Sequence, residues 1–137
     1  MKNIITILIL FVAVGCATTP TVKSIVGSYE TSELIGGIPF KEVLLENGKA
    51  ESFHGGFLLS AAETWKIVGK EVHIERENRA VSVFRINADK SITYIAHKED
   101  GKRKVPPKEG YTYKKIRELT PEENATAKLA HALHLFL

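Results

Sequence analysis

The sequence predicts a mainly β fold: an antiparallel meander of about eight short strands closed into a small barrel, followed by a C-terminal α-helix. Asn47-Gly48 stands between two β-rich runs, Phe40 to Leu45 and Lys49 to Phe53, the strongest short-range hairpin signal. In Glu71-Val72-His73-Ile74-Glu75 polar and apolar residues alternate strictly, which turns Val72 and Ile74 toward a core. Thr120-Pro121-Glu122-Glu123 reads as a helix start: a capping threonine, a proline at the first helical position, and Glu123 to complete a capping box.

Four segments follow in order. Residues 1–15 read as a signal peptide, 16–24 as a tether, 25–117 as the barrel and 118–137 as the helix. The leader has Lys2 as its positive start, the apolar run Ile4 to Val14, and Gly15 before Cys16. That run is too short to span a bilayer, which takes about 20 residues. Ala17 to Lys23 is a short Thr/Pro tether. Within the barrel, Val26 to Glu30 is a first strand, and the Asn47-Gly48 hairpin follows it. Glu63 to Val68 and Glu71 to Glu75 then flank Gly69-Lys70, while Arg79 to Asn87 and Ser91 to His97 flank Ala88-Asp89-Lys90. Asp100-Gly101 turns the chain once more, and Tyr111 to Lys115 closes the set. His54-Gly55-Gly56 reads as a strand end entering a flexible loop. In the last segment Ala125, Leu129, Leu133 and Phe136 recur at helical spacing. Such a stripe packs on the barrel, or else lies on a bilayer or a partner.

Charge excludes some classes of partner. The chain carries 19 basic and 16 acidic residues, too even a balance for a nucleic-acid-binding surface. Cys16 is the one cysteine, so no internal disulfide can form and stability rests on the core.

Val12-Ala13-Val14-Gly15-Cys16 resembles the lipobox of bacterial lipoprotein precursors, with Ala13 where leucine is commonest. The resemblance implies that Cys16 is acylated and becomes the first residue of the mature chain. It also implies a place in the bacterial cell envelope. Ala17 is not the aspartate that retains enterobacterial lipoproteins at the inner membrane, so the expectation is the outer membrane, facing the periplasm.

The strand phrases carry a second resemblance. Gly27-x-Tyr29, Gly37-Ile38, Val43-Leu44-Leu45-x-Asn47-Gly48, Trp65-Lys66-Ile67-x-Gly69-Lys70-x-Val72-x-Ile74, Phe84-Arg85-Ile86 and Tyr111-x-Tyr113-Lys114-Lys115 resemble the N-terminal barrel domain of the NlpE copper-resistance and envelope-stress lipoproteins. More distantly they resemble other lipocalin-like lipoprotein barrels. That family has a Cys-x-x-Cys before the Gly-Ile matched by Gly37-Ile38, where this chain has Thr31-Ser32-Glu33-Leu34-Ile35-Gly36. A copper or redox role is therefore not carried across, and no cofactor is expected.

Candidate sites are few. His131 and His134 share one helical face but lack a third ligand, so no metal site is expected. Ser52, Ser60 and His54 are near in sequence without a nucleophile elbow. Glu71, Glu75 and Glu77 read as a solvated face, and Gly36-Gly37 and Gly55-Gly56 lack a phosphate-binding context. No enzymatic activity is expected. Lys102, Arg103, Lys104 and Lys108 lie in a basic stretch suited to anionic headgroups or a polyanionic envelope polymer, or simply to solvent. Phe57, Leu59, Trp65, Phe84 and Tyr94 line either a ligand cavity or a packed core, since eight strands enclose barely enough room for one small ligand. The functions left open are a module that binds an envelope protein, a carrier of a small apolar ligand, and a headgroup- or peptidoglycan-associated structural lipoprotein.

Overall fold

The structure, a computed structural model, describes residues 18–31, 37–108, 110–120 and 122. The leader, Cys16 and the C-terminal segment from 123 onward, with His131 and His134, lie outside the described residues. One helical turn, α1 (Val22–Ile25), precedes nine strands: β1 (Gly27–Thr31), β2 (Phe40–Leu44), β3 (Lys49–His54), β4 (Phe57–Val68), β5 (Glu71–Glu75), β6 (Val81–Ile86), β7 (Ile92–Glu99), β8 (Lys102–Lys104) and β9 (Thr112–Arg117). Each of β1 to β7 pairs antiparallel with the next, and β9 joins β7 to β1. The result is a closed, eight-stranded antiparallel barrel. β8 stands outside the ring and pairs with the far half of β7.

Local chemistry sets these elements. Gly48 takes a left-handed φ of 81° in the β2–β3 turn, which its lack of a Cβ permits. Gly27 is required for another reason. A Cβ there would lie 2.5 Å from Lys115 Cε and 2.9 Å from the Arg117 carbonyl, so a side chain at this position would push β1 away from β9. At α1 the Thr21 side chain accepts from the Ser24 N–H and the Ser24 side chain from the Thr21 N–H, a capping box that holds the turn closed. The tether thus gives way to helix at Val22, and Ile25 is buried against the barrel.

Alternation puts one face of each strand of the ring inside. Tyr29, Leu44, Ala50, Trp65, Val72, Ile74, Phe84, Ile92 and Tyr113 form the core with Ile25 and Val26. Phe84 meets Tyr94 and Tyr113 edge-on at centroid distances of 5.7 and 5.6 Å, a favoured aromatic geometry. The Trp65 indole N–H donates to the Leu45 carbonyl at 2.8 Å, and the Tyr29 hydroxyl donates to the Ile25 carbonyl. Both buried polar tips are therefore satisfied.

Two stretches differ from the sequence expectation. β4 begins at Phe57 rather than Glu63, and Gly55-Gly56 is the turn of a hairpin with β3, not a flexible loop. The chain after Asp100-Gly101 forms the short strand β8 before β9.

Candidate binding surface

One end of the barrel carries the N-terminal segment. Thr18 to Thr21 and Ile25 lie there beside the β4–β5 turn at Lys70 and the β6–β7 turn at Asn87 to Lys90. The opposite mouth is built from the β3–β4 turn at Gly55-Gly56, with the Gly55 N–H donating to the Pro39 carbonyl at 3.2 Å, and from the β5–β6 turn.

Toward that mouth the interior turns polar. Register places Tyr29, Glu42 and Ser52 side by side on β1, β2 and β3, and Ala50 beside Glu63 on β4. Arg76, just past β5, reaches in from above. Its Nη2 donates to Glu42 Oε1 at 2.9 Å, and its Nη1 to Glu63 Oε2 at 2.6 Å and to Ser52 Oγ at 2.7 Å. Its Nε donates to Ser82 Oγ at 3.0 Å. Glu42, Ser52 and Glu63 are all buried. Ser52 Oγ lies 2.7 Å from an oxygen of each carboxylate, yet its hydroxyl has only one hydrogen to donate. The Ser52 proton therefore goes to one carboxylate at a time, and Arg76 donates to both carboxylates. Burial pushes Glu42 above its ordinary value, and the attraction of Arg76 only partly offsets this.

The apolar candidates divide. Trp65 and Phe84 are buried in the core and Tyr94 packs against it, so these three meet around the interior. Phe57 and Leu59 do not line it: they are 79% and 57% exposed, with Leu58 at 54%. The early start of β4 explains the difference, because these residues extend the strand past the barrel wall as an arm. Ile38, itself exposed, stands beside the Gly55 turn at its base.

The basic candidates divide as well. Arg103 makes a bidentate pair with Glu71 at 2.9 and 3.1 Å, and Lys104 pairs with Glu99. Glu71 also meets His73 Nε2 at 2.8 Å. The Arg103 hydrogen bond, chiefly, lowers the Glu71 carboxyl to about 2. Lys102 and Lys108 are exposed. A surface for anionic ligands is thus half engaged by the protein's own carboxylates.

Ser52 and His54 form no nucleophile–base pair: Ser52 Oγ is held by Glu42, Glu63 and Arg76, and His54 stacks on Phe40 at 4.3 Å. Among the described residues there is no group of three or more side chains suited to a metal ion. No described helix is long and apolar enough to cross a membrane. Sequence reasoning missed the Arg76 network. Its signal was parity: Glu42, Ser52 and Glu63 occupy the same strand face as Leu44, Ala50 and Trp65.

Compared with family models, curated proteins and solved structures, the chain matches none.

Proposed function

We propose that this chain is a non-enzymatic, lipid-anchored module of the bacterial envelope that binds another envelope protein through the outside of its barrel. The observation that carries this reading is the filled interior. Tyr29, Leu44, Ile74, Phe84 and Ile92 are each at most 1% exposed, and the Arg76–Glu42–Glu63–Ser52 network occupies the layer above them. A carrier of an apolar ligand needs an open, mostly apolar cavity, and a buried charge cluster at the mouth disfavours one. Binding then falls to the surface, where the β4 arm displays Phe57, Leu58 and Leu59. Neighbouring exposed apolar side chains of this kind mark interaction sites.

The lipobox-like Val12 to Cys16 supports an anchor at Cys16, which would tether the end opposite the arm. One acyl chain binds marginally and two anchor stably. The outer membrane's periplasmic face is the proposed location.

A photo-cross-linking amino acid at Leu58 in living cells tests the reading. Adducts with an envelope protein, formed by membrane-fractionated protein and altered when Cys16→Ser releases it, are expected. An apolar small molecule co-purifying with the chain, with no Leu58 adduct, would favour the carrier instead.

A further inference from the structure

The first half of β4 is a strand with one partner. β3 pairs along one side of it through Ser52↔Ser60, Phe53↔Leu58 and His54↔Phe57. On the other side β5 pairs only with Thr64 to Val68. Among the described residues, the N–H and C=O groups that Phe57 to Glu63 turn toward that side have no strand beside them. The Ser60 hydroxyl donates to Glu77 at 2.7 Å, but this contact uses side chains and leaves the backbone edge as it is.

Natural proteins blunt open edges with short strands, lysines or prolines, because an unprotected edge is a template for another chain. β8 follows this rule: it is three residues long and reads Lys102-Arg103-Lys104. Phe57-Leu58-Leu59-Ser60-Ala61-Ala62 has neither a charge nor a proline. Its large apolar residues are consecutive, so they project from both faces of the strand. An incoming strand would therefore meet apolar neighbours on both its faces and no charged side chain from the segment itself, the Glu77 carboxylate beside Ser60 being already engaged by that hydroxyl.

We infer that the Phe57–Ala62 edge is a strand-addition site that takes one extended, uncharged, apolar segment of another polypeptide. Main-chain hydrogen bonds would supply the attachment and the side chains of the arm the preference for apolar residues. The inference rests on the proposed function and specifies its partner's chemistry.

The test uses the full chain in detergent, nitrogen-labelled for NMR. The probe is a blocked hexapeptide of valine and threonine, with the same peptide carrying a central proline as control. The expected result is amide shifts and new exchange protection confined to Phe57 to Glu63, absent with the proline peptide. Leu59→Lys, at an exposed position, should weaken binding by about ten-fold or more while leaving the rest of the spectrum in place. Lys102→Glu on the β8 edge should change nothing. Shifts at β8 or in the interior, or no binding, would overturn the inference. So would a concentration-dependent dimer of the chain alone that Leu59→Lys dissolves, since a second copy would then occupy the edge. If the peptide adds at the edge while Leu58 captures no envelope protein, strand addition stands and the proposed function fails. Adducts formed only from other surfaces, with a silent edge, give the reverse.

Discussion

The two halves of β4 follow opposite rules. From Thr64 to Val68 the strand pairs with β5 and alternates, with Trp65 buried while Thr64 and Lys66 are exposed, and the Trp65 N–H donates to the Gly48 carbonyl on its other side. From Phe57 to Ala62 it has β3 alone, and its apolar residues face water. One continuous strand thus serves two purposes: its second half builds the barrel, and its first half stands outside it. Hydrophobicity by itself does not mark the core here. Alternation within the stretch that β5 closes into the ring does.

Substitutions should separate the halves sharply. Trp65→Ala removes a core aromatic and the donor to the Leu45 carbonyl. It should cost about 3–5 kcal/mol, readable as a shift in the denaturant midpoint. Arg76→Met should cost a comparable amount, about 3–5 kcal/mol, because it strands two buried carboxylates without their cation. Adding Glu42→Gln to Arg76→Met should recover part of that loss, which a merely steric role for Arg76 would not allow. In the outer half, Leu59→Ser should stay within about 0.5 kcal/mol of the parent. A large loss there would mean that the arm is part of the core after all.

Acid and base should act on the two arginine–carboxylate sites with opposite sign. Glu71, held at about 2 by Arg103 outside the barrel, has a folded-state value below its ordinary 4.5. Its stabilisation is present above that ordinary value and is lost as pH falls through 4.5 toward 2. Glu42 is raised by burial inside the barrel. Its protonated form suits the fold, so stability is full below 4.5 and declines as pH rises from there through the folded value. Urea titrations over about pH 3 to 8 should show Glu71→Gln flattening the acid limb and Glu42→Gln the upper one. If Glu42→Gln leaves the upper limb unchanged, burial does not raise the Glu42 carboxyl in the folded chain.

The same contrast explains what was legible in the sequence. Hairpins with their own turn chemistry, at Asn47-Gly48 and Gly69-Lys70, stood out, and so did the strict alternation of β5. Each signal is local and depends on two or three residues. The first half of β4 gave no such signal, because Phe57-Leu58-Leu59 does not alternate and the preceding Gly55-Gly56 resembles a loop. The Arg76 network was hidden for another reason. Its members come from β2, β3, β4 and the turn after β5, so closure of the barrel brings together residues up to 34 positions apart. Polar residues at inward positions were the only trace, and their meaning depends on a partner that sequence spacing does not locate. Likewise, nothing local in Arg103 announces that Glu71 neutralises it.

Amide hydrogen exchange along β4 of the unliganded chain tests the central claim most directly. Slow exchange at the amides that Thr64 to Val68 turn toward β5, with fast exchange at the amides that Phe57 to Ala62 turn toward that same side, is the predicted pattern. Uniform protection across the whole strand would contradict it, because another part of the same chain would then already occupy the edge.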